Sequence, residues 1–305
     1  MKIFTGNASV QLAKKVAKTM SMRLSPVDMH IFPDGERRIQ IRENVVDQDA
    51  IVIQSAAPPV DTNYMELFFI VDALKRSGAR YVTAVVPYFG YQRQDHVFRD
   101  GEAVSLEVVI RMMESVGVDK LISFDLHSPK IPSLFHIPVS HMSAIPIFAE
   151  KIKNKGWTKE DTVLVSPDMG GIRRIKLLSQ LLNDMPYAAI EKTRDLVTGT
   201  VSSEGVEQGN VKGKKRAVLV DDMISSGGTI VMAAEVLKTN NIKEVFVFAT
   251  HPVFSVDAPS RLQHSVVKKI YVTNTLWVQQ EKQFPKLKVL SIAEMIAREL
   301  QQSHK

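Results

Sequence analysis

The sequence predicts an α/β protein in which mostly parallel sheets are flanked by helices. Short runs rich in Val, Ile and Ala alternate with amphipathic helical stretches along most of the chain. Runs that are apolar throughout are typical of strands buried on both faces, and helices separate several of these runs. The 305 residues, of which 45% are hydrophobic and 24% charged, are enough for one large or two ordinary globular domains.

Each predicted element is supported by its own local pattern. The predicted strands are short apolar runs bounded by polar or turn-forming residues, and the predicted helices have apolar residues at helical spacing. The predicted strands are 51–54, 82–86, 121–124, 163–165, 188–190, 217–220, 245–249 and 270–272. The predicted helices are 64–76, 106–115, 172–183, 230–239 and 292–301.

The two halves of the chain have a similar order of elements. "IVIQSAAP" followed by "MELFFIVDALKRSGA" parallels "TVLVSPDMGGIRRIKLLSQLL", and "LISFDLHS" parallels "VLVDDMIS". We therefore expect two similar domains, an N-terminal one of residues 1–143 and a C-terminal one of residues 144–291. The C-terminal helix 292–305 can pack on either domain, and the first is one candidate.

Composition and charge narrow the possible environments and partners. The chain has no cysteine, which excludes disulfides and thiolate chemistry and fits a reducing cytoplasm. No apolar run reaches the roughly 18 residues of a membrane-spanning helix. The net charge of +6 is spread along the chain, which suits small anionic substrates better than nucleic acid. We expect a cytoplasmic protein that binds neither membranes nor nucleic acid.

The stretch "VLVDDMISSGGTI" at 218–230 predicts a binding site. A strand is expected to end before Asp221 and Asp222, and a small turn then leads into a helix from about Thr229. The turn can bind a phosphate through backbone amides, while the two carboxylates accept hydrogen bonds from vicinal hydroxyls. A sugar phosphate has both groups. The alternative is an ordinary turn with Asp caps, and the missing Walker lysine excludes a P-loop.

"VDDMISSGGT" resembles the phosphoribosyl diphosphate-binding signature of phosphoribosyltransferases and of ribose-phosphate diphosphokinases. Four further stretches are similar to diphosphokinase motifs, in the order and spacing of that family. They are "FPDGE" (32–36), "PYFGYQRQD" (87–95), "FDLHS" (124–128) and "VSPDMGG" (165–171). The resemblance spans essentially the whole chain and implies two phosphoribosyltransferase-like domains. It also implies transfer of a diphosphoryl group from MgATP to ribose 5-phosphate.

The resemblance implies an ATP site assembled from several loops. Phe32 would stack on adenine and Asp34 and Glu36 would contact its amine, within the site of a neighbouring subunit. The remaining implied ATP-binding residues are Arg93, Gln94, Asp95 and His127. Without the family, "FPDGE" would be interpreted as a surface turn and Arg93 as a solvated side chain.

A Mg²⁺ site is implied by His127 and Asp168, which match metal-binding positions of the family. Asp125 and His127 are two residues apart at a strand end, so extended backbone would place both on one face. Imidazole is an unusual magnesium ligand, and a structural histidine is the alternative.

Lys192 and Arg194 match the cations of a family loop and are the implied catalytic residues. A polar, glycine-containing stretch follows them to residue 215 and is interpreted as a mobile loop or hairpin over the site. The alternative interpretation is that Lys192 and Arg194 belong to a run of charged surface residues. Arg194 also belongs to the implied ribose 5-phosphate site, whose other members are Asp221, Asp222, Ser225, Ser226, Gly227, Gly228 and Thr229.

Some features depart from the family pattern. Ser225 stands where many members have Asp, and "HVFRDGEAVS" at 96–105 replaces a more basic stretch. These features are similar to the archaeal-type branch. They leave open phosphate activation, ADP inhibition and the size of the expected homo-oligomer, a hexamer or a smaller dimer or tetramer. Two other functions remain alternatives: a non-catalytic regulatory subunit of the same fold, and a phosphoribosyltransferase.

Overall fold

The computed structural model describes residues 1–194, 201–255 and 257–302, without the side chains of residues 191–208. The chain divides into two compact units. Unit 1 comprises Met1–Met142, Thr275–Trp277 and Ser291–Lys305, and unit 2 comprises Ser143–Asn274 and Val278–Leu290.

Unit 1 contains a five-stranded parallel sheet and a separate antiparallel hairpin. The sheet strands are β1 (Lys2–Thr5), β4 (Asp49–Ile53), β5 (Tyr81–Val85), β6 (Lys120–Phe124) and β7 (Val139–Met142). They are hydrogen-bonded in the order β1-β4-β5-β6-β7. The hairpin is formed by β2 (Val27–Ile31) and β3 (Arg37–Ile41). β4, β5 and β6 each have four consecutive buried residues, as in central strands covered on both faces.

Four helices belong to unit 1. They are α1 (Val10–Thr19), α2 (Val60–Arg76), α3 (Ser105–Ser115) and α8 (Ala293–Gln302). The C-terminal helix α8 packs against α1. Its buried residues recur at helical spacing, so one apolar stripe faces the unit and the opposite face is polar. They are Ala293, Ile296, Ala297 and Leu300.

Unit 2 contains a seven-stranded sheet. Its strands are β8 (Thr162–Ser166), β9 (Tyr187–Arg194), β10 (Val201–Gln208), β11 (Arg216–Ile224), β12 (Glu244–Pro252), β13 (Lys269–Thr273) and β14 (Leu287–Leu290). The order is β10-β9-β8-β11-β12-β13-β14. Neighbouring strands are parallel except β9 and β10, which are antiparallel.

Helices cover both faces of this sheet. They are α4 (Ile145–Lys153), α5 (Ile172–Leu181), α6 (Gly228–Thr239) and α7 (Ala258–His264). In β11, Ala217 and Leu219 join the apolar cluster formed with α6 and α7. Val218 and Val220 join the opposite cluster, formed with α4 and α5. The side-chain period of two thus buries alternate residues of one strand in two cores.

The predicted fold class is confirmed, since every predicted strand and helix overlaps an observed one. Several elements were not predicted, among them β1, α1, the β2–β3 hairpin, β7, α4, α7 and β14. Among the described residues, no helix combines the length and the apolar character that crossing a membrane requires.

Candidate active site

The carboxyl ends of β8 and β11 lie side by side in unit 2. Pairing between these strands ends at Val165 and Leu219, whereas β11 continues to Ile224. Asp221 and Asp222 therefore lie inside β11 but beyond the part that β8 covers. The prediction that the strand ends before these carboxylates is wrong, because β12 continues to pair with β11.

Arg174, on α5, lies against both carboxylates. Its Nη1 is 3.5 Å from Asp221 Oδ1, and its Nη2 is 3.6 Å from Asp222 Oδ2. The backbone fixes the same side chains: Asp222 N–H donates to Asp221 Oδ1 at 2.8 Å, and Met223 N–H donates to Asp222 Oδ1 at 2.9 Å. The two aspartates are thus held as a pair.

The local electrostatics are unfavourable for two full negative charges. Burial raises the pKa of the Asp221 carboxyl well above its usual range, and the adjacent Asp222 carboxylate raises this pKa further. Arg174 acts in the opposite direction, and Asp168 adds another nearby negative charge. Hydrogen-bond donors or a cation brought by a ligand would therefore be stabilised beside this pair.

Asp168 follows β8 and caps the short 3₁₀ helix Met169–Gly171. Its Oδ1 accepts a hydrogen bond from Gly171 N–H at 3.3 Å, and its carbonyl accepts one from the Ser166 hydroxyl at 2.6 Å. A Cβ atom on Gly171 would lie 2.3 Å from Ser166 Oγ, so the turn has no room for a side chain there. The predicted arrangement of a carboxylate ahead of two glycines and a helix is present.

The turn between β11 and α6 is a continuous backbone cradle. Gly227 precedes the helix with φ of 75°, in the left-handed region that glycine favours. Val231 N–H donates to Gly227 O at 3.0 Å, so the N–H groups of Gly228 and Thr229 lie in the first turn of α6, at the positive end of the helix. The Gly228 N–H donates to Ser226 Oγ at 3.4 Å. The cradle contains the predicted residues Ser225, Ser226, Gly227, Gly228 and Thr229.

In unit 1, Gln92 connects two loops at the carboxyl end of the sheet. It is 1% exposed, and its Oε1 accepts a hydrogen bond from the backbone N–H of His127 at 2.8 Å. Arg93 and Gln94 are exposed in the same loop as Gln92, and Asp95 is half-buried. The predicted residues of the loops after β5 and β6 therefore lie at one end of unit 1.

The prediction that Asp125 and His127 share one face of extended backbone is wrong. β6 ends at Phe124, and Asp125 has φ of 34°. Asp125 is buried, whereas His127 is exposed. The chain bends at Asp125, so the two side chains have different environments.

Phe32, Asp34 and Glu36 lie at the tip of the β2–β3 hairpin. Phe32 N–H donates to Glu36 O at 2.8 Å, and Gly35 N–H donates to Phe32 O at 2.9 Å. The Phe32 ring is 39% exposed and makes an edge contact with the His30 ring at a centroid distance of 4.7 Å. The tip presents an aromatic ring and two exposed carboxylates.

Lys192 and Arg194 lie in β9, whose backbone pairs with β10; Arg194 is opposite Val201. This antiparallel pairing is of the kind a hairpin has, and the predicted position of this stretch over the site stays a prediction. The side chains of Lys192 and Arg194 lie outside the described residues, as do residues 195–200 between the strands. Their implied roles, and mobility of the intervening segment, stay predictions.

Arg174 and Gln92 were not predicted from the sequence. Arg174 is the second of two adjacent arginines that follow "SPDMGG", and Arg173 beside it is exposed. The feature of the sequence that could have identified Arg174 is an arginine in the first turn of a helix that follows a capping aspartate. Helix phase decides which arginine faces the aspartates, and the sequence alone did not fix that phase.

The chain matches models of a known family over most of its length. Residues 1–117 match the N-terminal domain of ribose phosphate pyrophosphokinase, and residues 205–305 match a phosphoribosyl synthetase-associated domain. The chain is 38% identical over 297 residues to the ribose-phosphate pyrophosphokinase of Fusobacterium nucleatum, with 97% of this chain and 93% of the relative covered. It is 38% identical over 304 residues to ribose-phosphate pyrophosphokinase 1 of Streptococcus agalactiae, with 100% and 94% covered.

A solved structure agrees with these matches. The phosphoribosylpyrophosphate synthetase from Mycobacterium smegmatis superposes with a TM-score of 0.91 at 36% identity, covering 99% of this chain and 98% of that chain. The family suggested by the sequence motifs and the two-sheet fold are both confirmed. The chain belongs to the ribose-phosphate pyrophosphokinase family, whose members are also called ribose-phosphate diphosphokinases.

Proposed function

We propose that this enzyme transfers the diphosphoryl group of MgATP to the anomeric hydroxyl of ribose 5-phosphate. The products are 5-phosphoribosyl 1-diphosphate and AMP, for nucleotide biosynthesis in the cytoplasm. The observation that carries the proposal is the Asp221–Asp222 pair next to the backbone cradle at the start of α6. A pentose phosphate has both the vicinal hydroxyls and the phosphate that this arrangement recognises.

The sugar site has two parts in this proposal. The cradle of residues 225–229 binds the 5-phosphate through backbone amides and hydroxyls, with Arg194 as an additional cation. Asp221 and Asp222 accept hydrogen bonds from the ring hydroxyls. Fixing both ends of the sugar sets the orientation of its anomeric hydroxyl.

The nucleotide site is assigned to loops at the carboxyl end of unit 1. The exposed Arg93 offsets phosphate charge, and Gln94, Asp95 and His127 complete this side of the site. Phe32 stacks on adenine, and Asp34 and Glu36 accept hydrogen bonds from its amino group. The family resemblance assigns these three residues, which lie at an exposed hairpin tip, to the site of a neighbouring subunit in a homo-oligomer.

Mg²⁺ would supply charge neutralisation at the phosphate oxygens. Among the described residues, no three His, Cys, Asp or Glu side chains form a metal-binding group. One or two carboxylates with substrate phosphates are a common magnesium environment, and the Asp168 carboxylate fits it. The negative charge of Asp168 also raises the pKa of Asp221. This effect indicates an excess of negative charge around these carboxylates, which a cation would offset. The family resemblance assigns His127, which is exposed in unit 1, as a further magnesium-binding residue.

The reaction forms a bond from the anomeric oxygen to the β-phosphorus and breaks the bond from that phosphorus to the AMP oxygen. The hydroxyl proton is released, and we assign no general base. Lys192 and Arg194 stabilise the negative charge of the transferring group. Positioning and electrostatics therefore account for catalysis, as in other phosphoryl transfers.

The test is AMP formation from ribose 5-phosphate, ATP and Mg²⁺, compared between the natural chain and Asp222→Asn. We expect AMP from the first and at least about a hundredfold less from the second, because the amide no longer offers two charged acceptors. Absence of AMP together with tight binding of a partner protein would indicate a regulatory subunit. Release of diphosphate from 5-phosphoribosyl 1-diphosphate with a nucleobase would indicate a phosphoribosyltransferase.

The subunit assignment has its own test. A monomer produced by dilution should be nearly inactive, because no neighbour contributes Phe32, Asp34 and Glu36. Full specific activity of a monomer, verified by light scattering, would contradict this assignment.

A further inference from the structure

We propose that Arg174 is a positioning residue that holds Asp221 and Asp222 in the orientation in which both accept the ribose hydroxyls. The inference rests on the proposed function and assigns a role to a residue outside its substrate contacts. Arg174 acts through the two carboxylates.

The geometry is that of one guanidinium spanning two adjacent acids. Nη1 is 3.5 Å from Asp221 Oδ1, and Nη2 is 3.6 Å from Asp222 Oδ2. Both distances exceed those of the usual N–H···O hydrogen bond, so Arg174 does not form the short bidentate fork of a structural arginine–carboxylate pair. It offsets charge at both acids while the carboxylates retain capacity to accept hydroxyl donors.

The environment strengthens this contact. The side chains of Arg174, Asp221 and Asp222 are 17%, 18% and 8% exposed, so the charges are screened little by solvent. The Arg174 guanidinium lies within 4 Å of both acids. Loss of this guanidinium would remove a positive charge that offsets the repulsion between the two carboxylates, and would weaken an orientation that the backbone hydrogen bonds to Asp221 and Asp222 also support.

The turn that places Asp168 also places Arg174. Asp168 caps the turn through Gly171 N–H, and α5 starts at the next residue. A Cβ atom on Gly171 would lie 3.4 Å from Arg174 Nη1, an ordinary van der Waals distance, so the turn and the guanidinium are direct neighbours. Arg173 on the same helix turn is exposed, which provides a control with the same charge.

The experiment compares Arg174→Gln, Arg174→Lys and Arg173→Gln in the full chain. For Arg174→Gln we expect the KM for ribose 5-phosphate to rise by about 10- to 100-fold, because a charge-assisted contact is lost. The KM for ATP should change by less than about twofold, since Arg174 does not act on the nucleotide. Arg174→Lys should recover part of the loss, and Arg173→Gln should match the natural chain.

Binding of ribose 5-phosphate, measured by calorimetry, separates the possible failures. If the natural chain and Arg174→Gln bind the sugar equally, the inference is overturned and the proposed function stands. If KM for both substrates rises equally, or if lysine recovers nothing, Arg174 has a general structural role and the inference is also overturned. If the natural chain neither binds ribose 5-phosphate nor forms AMP, the proposed function fails, and the inference with it.

Discussion

The side-chain oxygen of Gln92 accepts a 2.8 Å hydrogen bond from the backbone N–H of His127, and this bond links the loop after β5 to the loop after β6. The same side chain is buried, and its Nε2 has no hydrogen-bond partner among the described residues. We expect Gln92→Ala to cost about 1 kcal/mol of stability and to raise the KM for ATP roughly tenfold, because the His127 loop loses its support. Steady-state kinetics and thermal melting test this. Gln11→Ala, at an exposed position of α1, is the control, and an unchanged KM for ATP would contradict the prediction.

Asp221→Asn should stabilise the protein while lowering its turnover. The pKa of Asp221 is raised by burial and by Asp222, so the folded protein binds this proton more tightly than the unfolded chain does. Stability therefore falls as the pH rises from the unfolded pKa to the folded pKa, and an amide avoids this loss. We expect a melting temperature a few degrees higher for Asp221→Asn at neutral pH, with the difference vanishing in acid.

Asp161→Asn is the control, because its expected effect on stability at neutral pH is opposite to that of Asp221→Asn. The hydrogen bond from the Thr162 hydroxyl and the charge of Arg216 lower the pKa of Asp161. The contribution of the ionised Asp161 carboxylate to stability is present above the unfolded pKa and is lost as the pH falls through the folded pKa. Asp161→Asn should thus lower the melting temperature at neutral pH. Equal pH profiles for the two variants would contradict both assignments.

Gly227→Ala and Gly213→Ala separate backbone strain from ligand binding. Their φ angles are 75° and 76°, so alanine should cost about 1–2 kcal/mol at either position. A Cβ atom at Gly227 would also lie 3.1 Å from Leu262 Cγ, whereas one at Gly213 would have no neighbour within 4 Å. We expect about a tenfold higher KM for ribose 5-phosphate for Gly227→Ala alone. Similar kinetics for both variants would exclude the cradle as the phosphate site.

Lys192→Ala should lower kcat by about two to three orders of magnitude and leave the KM for ATP within about twofold. The physical reason is that a loop cation stabilises charge that develops in the transition state. Lys176→Ala removes the same charge from an exposed position of α5 and serves as control. Turnover equal to that of the natural chain would remove Lys192 from the mechanism.

The central strands were predictable because their side chains are buried on both faces. The runs at 82–86 and 245–249 are apolar enough to be identified without any partner strand. The β2–β3 hairpin was not predictable in this way, since its residues are only partly buried and carry several charges. Edge and surface elements lack the continuous apolar signal that central strands have.

The site was predictable in its residue types and less so in its geometry. The acidic pair and the small turn were identified from "VDDMISSGGT", but the extension of β11 past Asp222 depends on pairing with β12. The positive φ of Asp125 was likewise not predicted from the sequence. Arg174 could not be distinguished from Arg173 because burial depends on how α5 lies on the sheet.

The shared placement of Asp168 and Arg174 restricts how this segment can be altered. An insertion or deletion between Asp168 and Arg174 would change the spacing between a carboxylate and a guanidinium of the site, whatever residues it introduced. Protein engineers who wish to change sugar preference should transplant the segment whole from a relative, at constant length. Exposed positions farther along α5, such as Lys176 and Gln180, remain open to variation.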